Sequence, residues 1–220
     1  DRRRIFSWLI TETRDDKGNA VVYGYRPDDA AGADLTKACE RNRGGPLDVR
    51  RGTNRYLKSI RYGNRGPLLD SAGHRPRFLA DLPSTQIGQA GWMFEVIFDY
   101  GEHALDRPAG AEPAKWTYRQ DPFSSYRAGF EVRTTRLCQR VLMVHHVPDS
   151  ANGARGYDGV VRSTDFTYSY EQDPTNQRNP VYTFLCAATQ TGYPADAGQP
   201  PRRLPPLEFG RELFDANYDR

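Results

Sequence analysis

Between Trp92 and Tyr100 the chain alternates without a break. Trp92, Phe94, Val96, Phe98 and Tyr100 fall on one side of a period of two, and Met93, Glu95, Ile97 and Asp99 on the other. Side chains sort this way only along extended backbone, so the run predicts a strand with one apolar, aromatic face and one mixed face. Similar signals recur, each bounded by turn residues. Ile5 to Thr13 is apolar on both faces, and Asp15-Asp16-Lys17-Gly18-Asn19 turns it into Ala20 to Tyr25 as a hairpin with a five-residue loop. Further strands are expected over Arg55–Gly63, Gly129–Arg136, Leu137–Val147, Gly159–Tyr170, Val181–Thr191 and Leu207–Glu212. In the run ending at Tyr170, Phe166, Tyr168 and Tyr170 stand opposite Asp165, Thr167 and Ser169.

One short helix is expected, Asp34–Arg43, with Asp34 as its N-cap and Leu35, Ala38 and Cys39 on one face. The Pro- and Gly-rich stretch from Asn64 to Ala90 reads as a loop too long and polar to enter the core. Strands joined by long polar connections make the chain all-β and mainly antiparallel, with extended loops (Gly 20, Pro 16). The strand Tyr56–Gly63 is echoed by Phe184–Gly192, each an aromatic-Leu start that opens into a Gly turn.

Composition excludes several classes. With 13 Tyr, 10 Phe and 3 Trp in 220 residues, the chain is too aromatic to be a disordered tail. It has no apolar run of about 18 residues for a membrane-spanning helix, and its start does not read as a signal peptide. It opens on Asp1 within strand-like sequence, which reads as a piece of a longer polypeptide. The net charge is +3, and between Arg41 and Arg65 seven Arg and Lys58 face only Asp48. That stretch reads as a solvated loop and a strand edge; Tyr56 and Tyr62 are too few for a stacking platform on nucleic acid. The three cysteines, Cys39, Cys138 and Cys186, are far apart and form no Cys-x-x-Cys. No structural metal or disulfide framework is expected, and the chain reads as one folded in a reducing compartment.

Catalytic motifs are lacking: no phosphate-binding glycine loop, no Gly-x-Ser-x-Gly and no His-Glu-x-x-His. His145 and His146 are adjacent on a strand and face opposite ways, so they cannot both hold one metal. Asp99, Gly101, Glu102 and His103 read as a strand-end turn rather than an acid–base pair. Asp15, Gly18 and Asn19 read as a plain turn rather than half a calcium loop. The most informative stretch is Asp121-Pro122-Phe123-Ser124-Ser125-Tyr126-Arg127-Ala128-Gly129-Phe130-Glu131-Val132-Arg133-Thr134. Its Asp-Pro starts a turn, and Gly129 permits positive φ before a strand. Glu131, Arg133, Arg127, Arg136 and Arg140 read as an Arg–carboxylate lattice stitching strand edges, with acidic partners close in sequence, rather than as an anion site.

The same stretch, continued through Arg136-Leu137-Cys138-Gln139-Arg140-Val141-Leu142-Met143, resembles the SpvB-type N-terminal domain that also opens the B components (TcdB/TcaC-type) of bacterial Tc insecticidal toxin complexes. Five further blocks agree in order: Phe6-Ser7-Trp8-Leu9-Ile10 with Asp15 to Ala20, Asn54-Arg55-Tyr56-Leu57 to Tyr62-Gly63-Asn64, Phe98-Asp99-Tyr100-Gly101-Glu102-His103, Val161 to Asp165-Phe166, and Leu204 to Phe209. Gly24 departs from the acidic residue common there. The resemblance covers residues 1–220 as about the C-terminal two-thirds of the domain, with no internal boundary. It implies a non-enzymatic structural segment that lends strands to an RHS-like β-shell enclosing or delivering a toxic C-terminal cargo. It implies as partners the remainder of its own chain (propeller and RHS-type regions) and the toxin C and A components, with no nucleic acid and no direct membrane insertion. It implies secretion as part of a toxin complex, no cofactor, no metal and no catalytic residue. A free-standing β-rich module binding a glycan, a surface or an acidic partner is the other reading of the residues.

Overall fold

The structure, a computed structural model of the chain, describes residues 5–109, 114–150, 152–169, 183–196 and 198–209. Its centre is one nine-stranded antiparallel sheet. The strands are β1 (Glu12–Arg14), β2 (Ala20–Pro27), β3 (Arg55–Tyr62), β4 (Phe94–Asp99), β7 (Arg140–Val147), β8 (Tyr157–Tyr168), β9 (Leu185–Gly192), β10 (Arg202–Arg203) and β11 (Leu207–Glu208). They lie in that order, with β10 and β11 both on the outer side of β9. Between β4 and β7 the chain leaves the sheet to make a separate hairpin, β5 (Phe123–Ser125) with β6 (Val132–Thr134). The all-β, antiparallel expectation holds. Helix is scarce: α1 (Ser84–Gly88) has five residues.

The two faces of the sheet differ sharply. Ala20, Ile97, Leu142, Val144, Val160, Ser163 and Thr191 lie on one face, and all are buried. Here Ile97, Leu142, Val144 and Val160 pack with Tyr193. Beside them Ala20 meets Leu68, Leu79, Leu82 and Ala90, with Val22, Ile87 and Trp92 against that cluster. We call this the closed face. The opposite, open face carries Tyr23, Ile60, Phe94, Val96 and Met143, none of them buried. The strand over 94–99 is therefore as expected, but its mixed face is the one that enters the core.

Other departures have identifiable causes. The ladder next to β2 stops at the Thr11 carbonyl, which accepts the Tyr23 N–H at 2.9 Å. Residues 5–11 are thus not a strand, and Trp8 stands 87% exposed. The turn after β1 is as read: Asp15 accepts the N–H groups of Lys17 and Asn19, and Gly18 has φ 84°. A Cβ at Gly18 would sit 2.8 Å from the Leu68 N and the Pro67 Cβ, so only glycine fits. The Asn64–Ala90 stretch is no excluded loop; four of its apolar residues reach the core. The expected helix over 34–43 is a 3₁₀ segment, Ala38–Arg43, because the Asp34 carboxylate accepts the Thr36 N–H and hydroxyl in a local turn. A β-bulge between Thr167 and Tyr168 breaks the alternation expected around Phe166, and Tyr170, Val181 and 210–212 lie outside the described residues. The two echoed segments became β3 and β9, which are not neighbours.

Leu142 is 0% exposed and its neighbour Met143, on the other face, 40%. Leu142→Ala is expected to cost about 2–5 kcal/mol in urea unfolding, and Met143→Ala under about 1 kcal/mol. Equal losses would contradict the assignment of the faces.

Candidate functional site

At the β3–β4–β7 end of the sheet, three clusters of buried charge lie beside a small aromatic core of Tyr56, Tyr100 and Trp116. Each ring meets the others edge-on at 5.4–6.1 Å between centroids. Burying a charge is costly unless it is paired and hydrogen-bonded, so the partners of each group decide what the site can do.

The first cluster is built on Arg136, 2% exposed. Its guanidinium lies 2.7 Å from the Asp29 Oδ1 and 3.3 Å from the Asp28 Oδ1, donates to the Ala31 carbonyl at 2.8 Å, and sits over the Trp116 ring at 4.5 Å. The Asp28 Oδ2 accepts hydroxyls from Thr135 at 2.5 Å and Tyr56 at 3.2 Å, and Trp116 donates its indole N–H to Asp29. Burial pushes the Asp28 carboxyl upward, further than Thr135 and Arg136 can pull it down. Burial also raises the Tyr56 phenol.

The second cluster caps β4. The Asp99 Oδ1 accepts N–H groups from Gly101, Glu102 and His103, while its Oδ2 takes Arg140 at 2.6–2.8 Å. Arg140 also donates to the His103, Ala104 and Leu105 carbonyls, and Asp165 lies 3.9 Å away. Gly101 has φ 99°, and a Cβ there would strike the Thr117 Oγ1 at 2.2 Å, which fixes glycine in this turn. Glu102 accepts the Tyr100 N–H and the Lys58 ammonium. The His103 Nδ1 donates to the Ala109 carbonyl at 2.8 Å, leaving Nε2 3.4 Å from Lys58. Burial opposes the Asp99 charge, yet the Gly101 N–H and Arg140 hold the carboxyl below its ordinary range. Asp99, Glu102 and His103 have ligand atoms within 4.8 Å of one another, the spacing of a metal site. Lys58 and Arg140 already supply the positive charge a cation would bring, so the geometry is that of a capped strand end.

The third cluster surrounds Glu40. It accepts Arg51 at 2.6 Å, Arg43 at 3.2 Å and the Tyr118 hydroxyl at 2.8 Å, with the Arg133 Nε 3.4 Å away. Burial works against this carboxylate, but Arg51 and Tyr118 win and hold it low. Glu131 takes Arg43 at 3.0 Å and the Ser124 hydroxyl, and Ser124 accepts from Arg133.

The residues singled out in the sequence divide accordingly. Tyr56, Asp99, Gly101, Glu102, His103, Ser124, Glu131, Arg133, Arg136, Arg140 and Asp165 enter these clusters, and Cys138 packs beside the aromatic core. Leu57 lends its carbonyl to the Tyr100 hydroxyl. Asp121 instead holds Thr183 and Arg119. Trp8, Asp15, Gly18 and Asn19 lie far along the chain at the β1 edge, while Tyr62 stacks on Phe94 beside Gly63. Pro122, Phe123, Tyr126, Arg127 and Gly129 form the β5–β6 hairpin, where Phe123, Tyr126 and Arg127 are exposed, and Phe130 meets Phe6 edge-on. Two expectations need correction. The lattice partners are not close in sequence, since Arg136 and Asp28 are 108 residues apart. The Arg41–Arg65 stretch is not all solvated either, because Arg43 and Arg51 are buried on Glu40. Asp28, Asp29, Glu40 and Trp116 were missed. Two carboxylates directly after a strand, and one Glu amid basic residues, were the available signals. His145 packs edge-on to Phe94, and His146 lies between Asp158 at 2.6 Å and Glu95 at 3.5 Å.

For Glu40 and Asp99 the folded chain releases protons more readily than the unfolded one, so their stabilisation is full above about pH 4.5 and is lost as pH falls through the folded-state values. Asp28 has the opposite sign and offsets part of that loss. Glu40→Gln is expected to be less stable at neutral pH yet to lose less than the parent between about pH 5 and pH 3, read from urea melts; parallel slopes would refute this. All three thiols are free. Burial pushes the Cys138 thiol up to about 12 and Cys186 is buried, so Ellman's reagent is expected to titrate Cys39 alone in the native chain.

Comparison with known proteins places this geometry. The model of the SpvB family (Salmonella virulence plasmid 65kDa B protein) matches residues 1–147. The Mono(ADP-ribosyl)transferase SpvB of Salmonella typhimurium (strain 14028s / SGSC 2262) is 34% identical over 192 residues, as is that of Salmonella choleraesuis (strain SC-B67). The match takes in 86% of this chain and only 28% of those relatives. The solved N-terminal domain of effector protein SpvB from Salmonella typhimurium strain LT2 aligns at TM-score 0.62 and 34% identity, over 85% of this chain and 51% of that one. A chain of the TcdB2-TccC3-Cdc42 crystal structure aligns at TM-score 0.68 and 30% identity, over 92% of this chain and 9% of that one. A chain of the Photorhabdus luminescens Tc holotoxin pore aligns at 0.66 and 30%, over 92% and 8%. With two-thirds of its length under the family model and 34% identity to the solved N-terminal domain of SpvB over 85% of its residues, this chain belongs to the SpvB family.

Proposed function

We propose that the chain is a non-enzymatic structural segment of a bacterial toxin or virulence protein, adding its strands to a shell that encloses a toxic cargo until delivery. The observation that carries this reading is the shared sheet, which aligns over 92% of the chain with components of Tc toxin assemblies. The buried clusters support it. Asp28, Glu40, Asp99 and Glu102 each already hold a cationic side chain, which leaves none of them aimed at a substrate. The domain reading extends it: residues 1–220 serve as part of one SpvB-like domain, with the rest of its own polypeptide and the toxin C and A components as partners. The role calls for export as part of a toxin complex. No helix among the described residues is long and apolar enough to cross a membrane.

The full-length protein that carries this chain, co-expressed with a Tc C component, is expected to shield the C component's terminal segment from added protease. Deleting residues 5–209 is expected to expose that segment. Equal digestion with and without the deletion would overturn the shell, and transfer of ADP-ribose by the chain itself would overturn its non-enzymatic character.

A further inference from the structure

The sheet keeps its strand carboxylates to one face, although arginines (Arg14, Arg61, Arg140 and Arg203) share that face with them. Its strand carboxylates, Glu12, Glu95, Asp99, Asp158, Asp165 and Glu208, all occupy closed-face register positions. Not one lies on the open face. There, an apolar row runs from Tyr23 through Ile60 and Val96 to Met143, position against position across four strands. The next position in that row is Arg162 on β8, then Gly192 on β9, then Arg202 on β10. Gly192 has no side chain, so only backbone stands between two exposed arginine positions. Neither guanidinium has a carboxylate partner among the described residues, whereas Arg136 and Arg140 are each held by one or two. An aromatic row, Tyr62, Phe94 and His145, lies alongside, with Tyr62 stacked on Phe94 at 5.2 Å.

An apolar surface ending in two unmatched cations defines its complement. A second copy set face to face has no strand carboxylate on its own open face, so it would leave the arginines unmatched in either orientation. An anionic bilayer calls for clusters of about four to eight basic residues, and this face offers two. What fits is a polypeptide with apolar side chains at one end and carboxylates at the other. Seven strands at about 4.8 Å spacing span roughly 29 Å, the reach of about nine extended residues.

We propose that the open face is a docking surface for an acidic, apolar segment of a partner protein. Its apolar side chains lie along Tyr23, Ile60, Val96 and Met143, and its carboxylates reach Arg162 and Arg202. Burial and charge on one sheet carry this independently of the shell, and a failed protease-shielding experiment leaves it intact.

The test uses the full chain and a fluorescein-labelled decapeptide, alternating Leu and Ser and ending in three Glu, with a Lys-ended twin. Anisotropy is expected to show saturable, salt-weakened binding of the Glu peptide in preference to the Lys peptide. In the R162E/R202E double variant, affinity for the Glu peptide is expected to fall by about tenfold or more and the preference to reverse. Both positions are exposed and unpaired, so the variant should keep the parent's melting temperature. Absence of saturable binding, equal binding of the two peptides, or an affinity unmoved in R162E/R202E would overturn the proposal. So would binding to phosphatidylserine vesicles in place of the peptide, or dimerisation of the chain that R162E/R202E abolishes.

Discussion

Arg136 lies out of reach of solvent, and so does the Asp28 carboxylate beside it. Two charges taken out of water hold together only when each finds both an opposite charge and enough hydrogen bonds. Here that requirement ties together segments that are otherwise unrelated: the turn after β2, the strand residue Tyr56, the Trp116 loop and the segment leading into β7. The long polar connections between strands could each adopt many paths. Pairing of Arg136 with Asp28 and Asp29, Arg140 with Asp99, and Arg51 with Glu40 selects one path for each.

This arrangement explains how a chain with a modest apolar content holds an ordered sheet. The closed face is packed conventionally, by Ile97, Leu142, Val144 and Val160 under Tyr193 and by the Leu68 cluster at the β2 edge. The end of the sheet is closed by ions and aromatic rings instead of aliphatic side chains. Buried ion pairs add less net stability than an apolar core of the same volume, but an incorrectly paired alternative is heavily penalised. The lattice therefore contributes specificity of path more than stability.

What remains is an asymmetric sheet, packed and holding every strand carboxylate of the described residues on one side, apolar with the exposed Arg162 and Arg202 on the other. Contiguous apolar area on a protein surface marks sites of association. Membership in a family whose solved relatives include an effector domain and components of toxin assemblies gives the asymmetry a context.

Much of the fold could be read from residue order. Strict alternation at Phe94–Asp99 fixes extended backbone locally, Asp15 and Gly18 fix a turn, and Asp99 with Gly101 fixes another, because each depends on neighbours within a few residues. Six short motifs in order were enough to indicate the family. Tertiary structure alone decided which face of β4 is buried, since alternation defines two faces without ranking them; the residues that pack with Ile97 there, Leu142, Val160 and Tyr193, arrive from far along the chain. It also decided the partners of the arginines. Charge attraction carries no sequence address, so Arg136 could be expected to pair, but that it pairs with Asp28 follows only from the sheet that brings β2 and the start of β7 to the same end.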